Sequence, residues 1–332
     1  MTTATFDRPA ERTPATAGAE TMKAIVQDEY GTAPEDVLRL ADVARPAIGD
    51  DEILLRVRAA SVDRGTWHVM AGLPYPLRLA GFGLRAPKAP NPGRSVAGTV
   101  ESVAGAVDLI AEYVRARAGR LAPKPANLSF EQAAAVPVSG LAALQAVRDR
   151  AQVQPGEKVL IIGASGGVGT FAVQIAKAFG AEVTGVCSTA KMDLVRSVGA
   201  DQVIDYTQED FAGGEHRYDA ILDIGGNRPL SHLRRALTPR GRLVIVGGET
   251  DGRWLGGTDR QLRAQLLSPL VSQKLGTFIA SENAEDLKVL RDLVEAGKVT
   301  PAIDRTYPLG ETPAAIRYVQ EGRARGKVVI TV

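Results

Sequence analysis

Cysteine is almost missing from this chain: of 332 residues one is Cys, Cys187, and three are His. One thiol cannot form an internal disulfide, and so few Cys and His cannot build a cysteine-rich zinc site. Charge of one sign is missing too. Forty Lys and Arg stand against 38 Asp and Glu, a net of +2, so the chain carries no strong field for nucleic acid or an anionic membrane. A clean apolar run of membrane length is also absent. The stretch Val159 to Ala176 is free of Asp, Glu, Lys and Arg, but it holds Gly163, Gly166, Gly167 and Gly169 and is bracketed by Lys158 and Lys177. A buried strand, a tight turn and a helix account for it. The first 21 residues have no apolar core and carry Asp7, Glu11 and Glu20, unlike a targeting segment, so they read as a disordered tail on a cytoplasmic protein. What is present is ordinary: 45% apolar and 23% charged residues, in a chain long enough for about two domains.

From Met22 to about Ala134 the chain shows short β-rich runs, KAIVQDEYG, DEILLRVRAASV and SVAGTVESV, separated by Gly and Pro. Pro74, Pro76, Pro87, Pro90 and Pro92 mark residues 73–93 as an irregular loop where a substrate pocket could sit. Beyond Pro137 strands alternate with helices, the signature of a parallel sheet covered on both faces. The expected strands are Lys158 to Gly163, Glu182 to Cys187, Gln202 to Asp205, Asp219 to Asp223, Arg242 to Val246 and Gly276 to Ala280, with helices at Gly167 to Phe179, Lys191 to Val198 and Pro229 to Leu237. Two amphipathic helices and a closing strand, GKVVITV, follow. The division expected is a tail 1–21, a β domain 22–134, a parallel α/β domain 135–280, and a return to the β domain over 281–332.

The run VLIIGASGGVGTFAVQIAKAFGAEV carries the sharpest chemistry. Ala164 to Gly169 fit the dinucleotide fingerprint with Ala in place of its first glycine. Ser165, Gly166, Gly167, Val168 and Gly169 would then lie against a pyrophosphate, Gly166 for close backbone approach and Gly169 for helix packing. The same residues also spell G-x-S-x-G, the nucleophile elbow of hydrolases. That reading needs a later acid and histidine, yet only His216 and His232 follow, and the last hundred residues contain none.

An NAD enzyme commonly places an acid at the end of the second strand. Here that place reads Cys187, Ser188, Thr189, Ala190, Lys191. Hydroxyls and a lysine suit a 2'-phosphate, and Tyr206 after the third strand can cover the adenine, so the expected cofactor is NADPH. A lysine and a phosphate at roughly 4 Å interact by about 1 kcal/mol in water and about 4 kcal/mol at an effective dielectric near 20. The alternative is that Lys191 merely opens a surface helix.

With these residues the chain resembles the zinc-free, quinone oxidoreductase-like branch of the medium-chain dehydrogenase/reductase superfamily. The likeness runs from Met22 to Val332 through AASVDRGTWHVMAG, NPGRSVAGTVESV, LAPKPANLSFEQAAAVPVSGLAALQA, GASGGVG, VGADQVIDY and RGKVVITV. It implies an α/β fold, a GroES-like mainly β domain joined to a Rossmann doubly wound parallel-sheet domain, and homodimers formed through the strand GTFIA. It implies hydride delivery from NADPH to a quinone or an α,β-unsaturated carbonyl compound, without metal: Asp63 stands at the first zinc-ligand position of zinc-dependent members, and their GHE turn reads GRS with Arg94. Gly247, Gly248 and Glu249 are expected near the nicotinamide ribose. Asp63 is expected beside nicotinamide and substrate, and Tyr75 as proton donor or enolate partner, the bland readings being a turn residue and a lid contact. His68 reads as a packed or surface histidine. Two departures stand out. The GLTA threonine is absent from Leu141, Ala142, Ala143. Relatives also carry roughly 15 to 20 more residues, with a P-G-D-x-V turn and strand, between Val107 and Ala111; losing them should strand backbone groups or force neighbours to rearrange. The alternatives are a catalytically weakened NADPH-binding protein, or an alcohol dehydrogenase or ketone reductase of the same superfamily.

Overall fold

The computed structural model describes residues 20–49, 52–89, 93–105, 111–247 and 254–332. Most of the expected tail, Gly248 and Glu249, and the site of the expected deletion at 106–110 lie outside them.

The chain begins with an antiparallel pair, β1 (Thr21–Gln27) and β2 (Leu38–Ala44), joined through a one-turn helix α1 (Pro34–Val37) that Pro34 starts. Strand β3 (Glu52–Val62) is the centre of a second sheet. Along one side it pairs with β4 (Ser95–Gly105), and on the other its first half pairs with β5 (Tyr113–Arg117). Between β3 and β4, α2 (Arg64–Ala71) is capped by Asp63 and ended by Gly72, whose φ of 61° favours glycine. The first part of the stretch read as an irregular loop is more ordered than its prolines imply: a cis Leu73–Pro74 bond leads into a helical turn at Arg78–Phe82 that is kinked at Gly81, whose φ is 104°, while Pro90 and Pro92 lie outside the described residues. Arg78 organises it by donating to the Gly72 carbonyl at 2.9 Å, with its guanidinium over the rings of Tyr30 and Tyr75.

Two helices that the strand-rich reading did not anticipate connect the halves. Helix α3 (Phe130–Ala134) starts at a reciprocal cap between Ser129 and Gln132, and α4 (Pro137–Gln145) starts at a proline, which suits a first turn. The alternating pattern then proceeds through β6 (Lys158–Ile162), α5 (Gly167–Ala178), β7 (Glu182–Cys187), α6 (Met192–Ser197), β8 (Gln202–Asp205), β9 (Tyr218–Asp223), α7 (Leu230–Ala236), β10 (Leu237–Ile245), α8 (Thr258–Leu267) and β11 (Lys274–Thr277). All pairings are parallel, in the order β11-β10-β9-β6-β7-β8. The strand expected at Gly276 to Ala280 starts earlier and stops at Thr277, because its ladder partner β10 ends at Ile245, opposite Thr277. Helix α8 is an addition.

The last elements are α9 (Ala284–Glu295), β12 (Ile303–Pro308), α10 (Thr312–Gln320) and β13 (Lys327–Thr331). Helix α9 places Leu290 and Val294 in the core under the parallel sheet, whereas β13 inserts between β12 and β3 of the antiparallel one. The largest core gathers Phe171, Ile175, Val159 and Ile161, each fully buried, at about 1.5–3 kcal/mol per side chain of that size.

The short passage from β4 to β5 has consequences. Strand β4 is the last of its sheet, while β5 docks directly on β3 and Ala111 bridges to Ala24 on β1. Glu112 satisfies the same junction: its amide donates to the Lys23 carbonyl and its carbonyl accepts from Val57, at 3.0 and 2.9 Å.

Candidate functional site

The order of the parallel strands reverses between β6 and β9, and the glycine turn lies at the carboxyl end of β6, where ligands of doubly wound sheets bind. Three glycines there do three jobs. Gly163 has φ of 81°, and a Cβ on it would come 2.9 Å from the Gly225 nitrogen. On Gly169 a Cβ would lie 2.1 Å from the Gly163 carbonyl oxygen, so the helix can seat on the turn only with glycine there. Gly166 is different: its φ is −85° and the nearest atom to a built Cβ is 3.4 Å away. The protein itself leaves room at that position.

Gly166 is the N-cap of α5 and brings no side chain to cap it, so the first-turn amides, which a helix cannot satisfy internally, face outward with the positive end of the dipole. Beside them lies a group the motif reading missed. Lys327 is 1% exposed; its Nζ donates to Ser139 Oγ at 3.0 Å and stands 3.8 Å from Asp63 Oδ2, while its Cδ is 3.0 Å from where a Cβ of Gly167 would be. Burial lowers its pKa and the Asp63 charge pulls the other way. A buried ammonium with one neutral acceptor and one looser carboxylate, against an uncapped helix start, has the charge and donors a diphosphate needs. The residues therefore fit a dinucleotide. The signal for Lys327 was the GKVVITV strand, but nothing local tied it to residue 167.

Asp63 spends Oδ1 on the α2 cap, accepting from the Thr66 amide at 3.0 Å, and turns Oδ2 to Lys327. It is thus a turn residue and also a charge at the turn. Tyr75 packs edge to face on Trp254, with centroids 5.3 Å apart, and under Arg78. That contact joins the loop after α2 to the segment before α8. His68 is buried, its Nδ1 2.9 Å from the Leu73 carbonyl. Ser165 gives its carbonyl to the Gly326 amide at 2.9 Å; His68, on α2, and His232, beside Asp210, serve other parts of the fold.

At the other end of the switch point Ser188, Lys191 and Tyr206 come together. The Tyr206 amide donates to the Cys187 carbonyl and the Lys191 amide to that of Ser188. The Lys191 amine, however, is turned to the carbonyls of Gly322 and Ala324 at 2.7 and 2.8 Å, and burial lowers its pKa. It does not simply open a surface helix. Asp205, at the end of β8, already accepts from Thr189 and Thr207, and these bonds hold its pKa down. Gly247 is reached from two sides: its amide donates to the Asp223 carbonyl and its own carbonyl accepts from Arg260. Asp223 is fully buried, 2.6 Å from Arg260 Nη1, and burial outweighs that guanidinium, raising its pKa to about 6.

Between the antiparallel sheet and helices α4 and α9 lies a cavity of about 770 Å³. At the GRS turn Arg94 pairs with Glu282 at 2.6 Å. Among the described residues no group of three or more His, Cys, Asp or Glu is placed to hold a metal ion, and no helix is long and apolar enough to cross a membrane.

A family model for zinc-binding dehydrogenases matches residues 198–330. The mouse mitochondrial NAD(P)H oxidoreductase RTN4IP1 is 33% identical over 359 residues, covering 94% of this chain and 89% of its own. That alignment is longer than the 332 residues here, so the relative carries residues without a counterpart. The tomato 2-methylene-furan-3-one reductase is 31% identical, over 93% of this chain and 79% of its own. Among solved structures, the quinone oxidoreductase from Coxiella burnetii superposes with a TM-score of 0.80 at 28% identity, covering 94% of this chain and all of that one. Mycobacterial Rv1454c, solved with NADPH, gives 0.77 at 26% identity, with 94% and 100% covered.

Proposed function

The chain belongs to the medium-chain dehydrogenase/reductase superfamily, in its quinone oxidoreductase-like branch, and from that premise we propose that it is an NADPH-dependent, zinc-independent reductase of quinones or α,β-unsaturated carbonyl compounds. The observation that carries this reading is the uncapped start of α5 with room at Gly166 and the buried Lys327 ammonium beside it. The amides of Gly167, Val168 and Gly169 and the Lys327 charge hold the diphosphate, with Ser165 and Gly166 at the turn. Ser188, Lys191 and Tyr206 surround the 2'-phosphate and adenine, and Gly247, Gly248 and Glu249 the nicotinamide ribose. When bound, the nicotinamide supplies a hydride. The protein's own contribution is to orient an enone or quinone near Asp63 and to meet the negative charge that develops on its oxygen, which the Tyr75 hydroxyl does by donating a proton. The metal-ligand positions support zinc independence: the Asp63 carboxylate faces a cap and an ammonium, and Arg94 is itself a cation. We take 22–134 with 281–332 as the catalytic domain and 135–280 as the nucleotide domain, in a cytoplasmic homodimer joined along the β11 edge.

A second reading, a nucleotide-binding protein of weakened turnover, is supported by the end of the antiparallel sheet at β4 among the described residues, together with the sequence expectation of a shortened connection after it. Nucleotide fluorescence titrations followed by NADPH consumption with a quinone and enone panel, with and without chelator, separate the readings. NADPH saturation, preference over NADH, and chelator-insensitive turnover are expected; turnover that a chelator removes overturns zinc independence, and saturation without turnover supports the second reading. Lys191→Glu should weaken NADPH at least tenfold more than NADH, about 1.4 kcal/mol. Equal weakening removes Lys191 from the phosphate site.

A further inference from the structure

The 770 Å³ cavity falls within the range of small-molecule sites and is walled by Ile53, Leu55, Val96, Val100, Leu141 and Leu287, from the antiparallel sheet on one side and α4 and α9 on the other. It lies apart from the nucleotide residues. On α4, Leu141 faces it while Ser139 is bonded to Lys327 beside the glycine turn. Among its lining residues are Arg94 and Arg120, each with 48% of its side chain exposed, and between them Glu282. The Glu282 oxygens meet Arg94 at 2.6 Å and Arg120 at 3.4 Å. Each guanidinium has five N–H donors, and among the described residues neither arginine has another acceptor. Two cations sharing one carboxylate leave a surplus positive charge where an apolar chamber meets water.

We propose that this cavity is a binding site for an anionic amphiphile, an extended apolar body ending in a carboxylate, with the body inside and the carboxylate on Arg94 and Arg120. A neutral apolar ligand would gain only burial. A carboxylate gains charge-assisted hydrogen bonds, bidentate where it faces one guanidinium, without stripping the arginines from solvent completely. The inference rests on the cavity and does not require the reductase reading.

The test is calorimetric titration of the full chain with dodecanoate, below its micelle concentration, and with dodecan-1-ol. One saturable dodecanoate site is expected, at least tenfold tighter than for the alcohol. Replacing both arginines, Arg94→Gln with Arg120→Gln, should erase that difference while leaving alcohol binding in place, and Glu282→Gln should tighten dodecanoate. NADPH titration of each variant checks that the fold is intact, because neither arginine touches the glycine turn. Absence of saturable binding, equal affinity for acid and alcohol, or a preference that survives in the double variant each overturns the proposal. Failure of NADPH binding with dodecanoate binding intact would instead strike the reductase reading alone.

Discussion

The two sheets of this protein differ in how completely they are closed. The parallel sheet is packed on both sides: Leu160 and Ile162 of β6 face one core, Val159 and Ile161 the other, and all four are buried. The antiparallel sheet ends at β4, where Val100 is 60% exposed beside a large cavity. The sheet that carries the glycine turn is thus sealed, and the antiparallel sheet keeps open space beside β4. Strand β5 pairs with the first half of β3, whereas the ladders of the parallel sheet are formed entirely by other segments.

The most direct way to break this contrast is to truncate one apolar side chain in each region. Leu160→Ala should cost about 2–5 kcal/mol, the range for a buried leucine, whereas Val100→Ala should stay within about 0.5 kcal/mol, as for an exposed position. Denaturant unfolding measures both, and similar losses would mean the antiparallel sheet is as tightly closed as the other.

Within the sealed region the glycines sharpen the comparison between packing and ligand approach. Gly169→Ala drives a Cβ into the Gly163 carbonyl oxygen and should destabilise by about 1–3 kcal/mol or more. Gly166→Ala has room, so stability should change by about 1 kcal/mol or less while NADPH affinity falls at least tenfold. If Gly166→Ala binds NADPH as the parent does, the diphosphate does not rest there.

The smallest effect separates the regions by their charges. Ion pairs of the antiparallel half, such as Lys23 with Asp42, are exposed, whereas Asp223 is buried at the end of β9. Burial raises the folded-state pKa of Asp223 to about 6, above the ordinary 3.8. Between these values the folded protein holds the proton more tightly than the unfolded chain. The stabilisation is therefore present at low pH and is lost as pH rises through about 6. Asp223→Asn removes this slope, so from pH 4 to 7 the parent's urea midpoint should fall relative to the variant's, and parallel curves would show that Asp223 is not the titrating group.

Much of this was legible along the chain. The strand, glycine turn and helix around residue 163 were readable because each step is local: four apolar residues, a glycine at positive φ, and small residues where a helix packs on its own turn. Asp63 as a cap was one of two readings, and capping is also local. The strand at 276 was misplaced because its end depends on where β10 stops, and α8 was not foreseen. The first part of the loop after α2 was less irregular than prolines suggested, because Arg78 holds it to the ring of Tyr30 on a distant segment as well as to its own neighbour Tyr75.

The amino-acid sequence by itself determined the alternation of elements, the strand, glycine turn and helix at 158–178, and the absence of an acid after β7, since these follow from periodicity and residue type over short spans. Tertiary structure alone decided that Lys327, 188 residues from Ser139, is buried beside that turn, that Lys191 bonds the carbonyls of the last loop, and that Arg94 and Arg120 share Glu282. Such pairings have no local signature, because they exist only after β13 has inserted beside β3 and α4 has packed between α5 and β4.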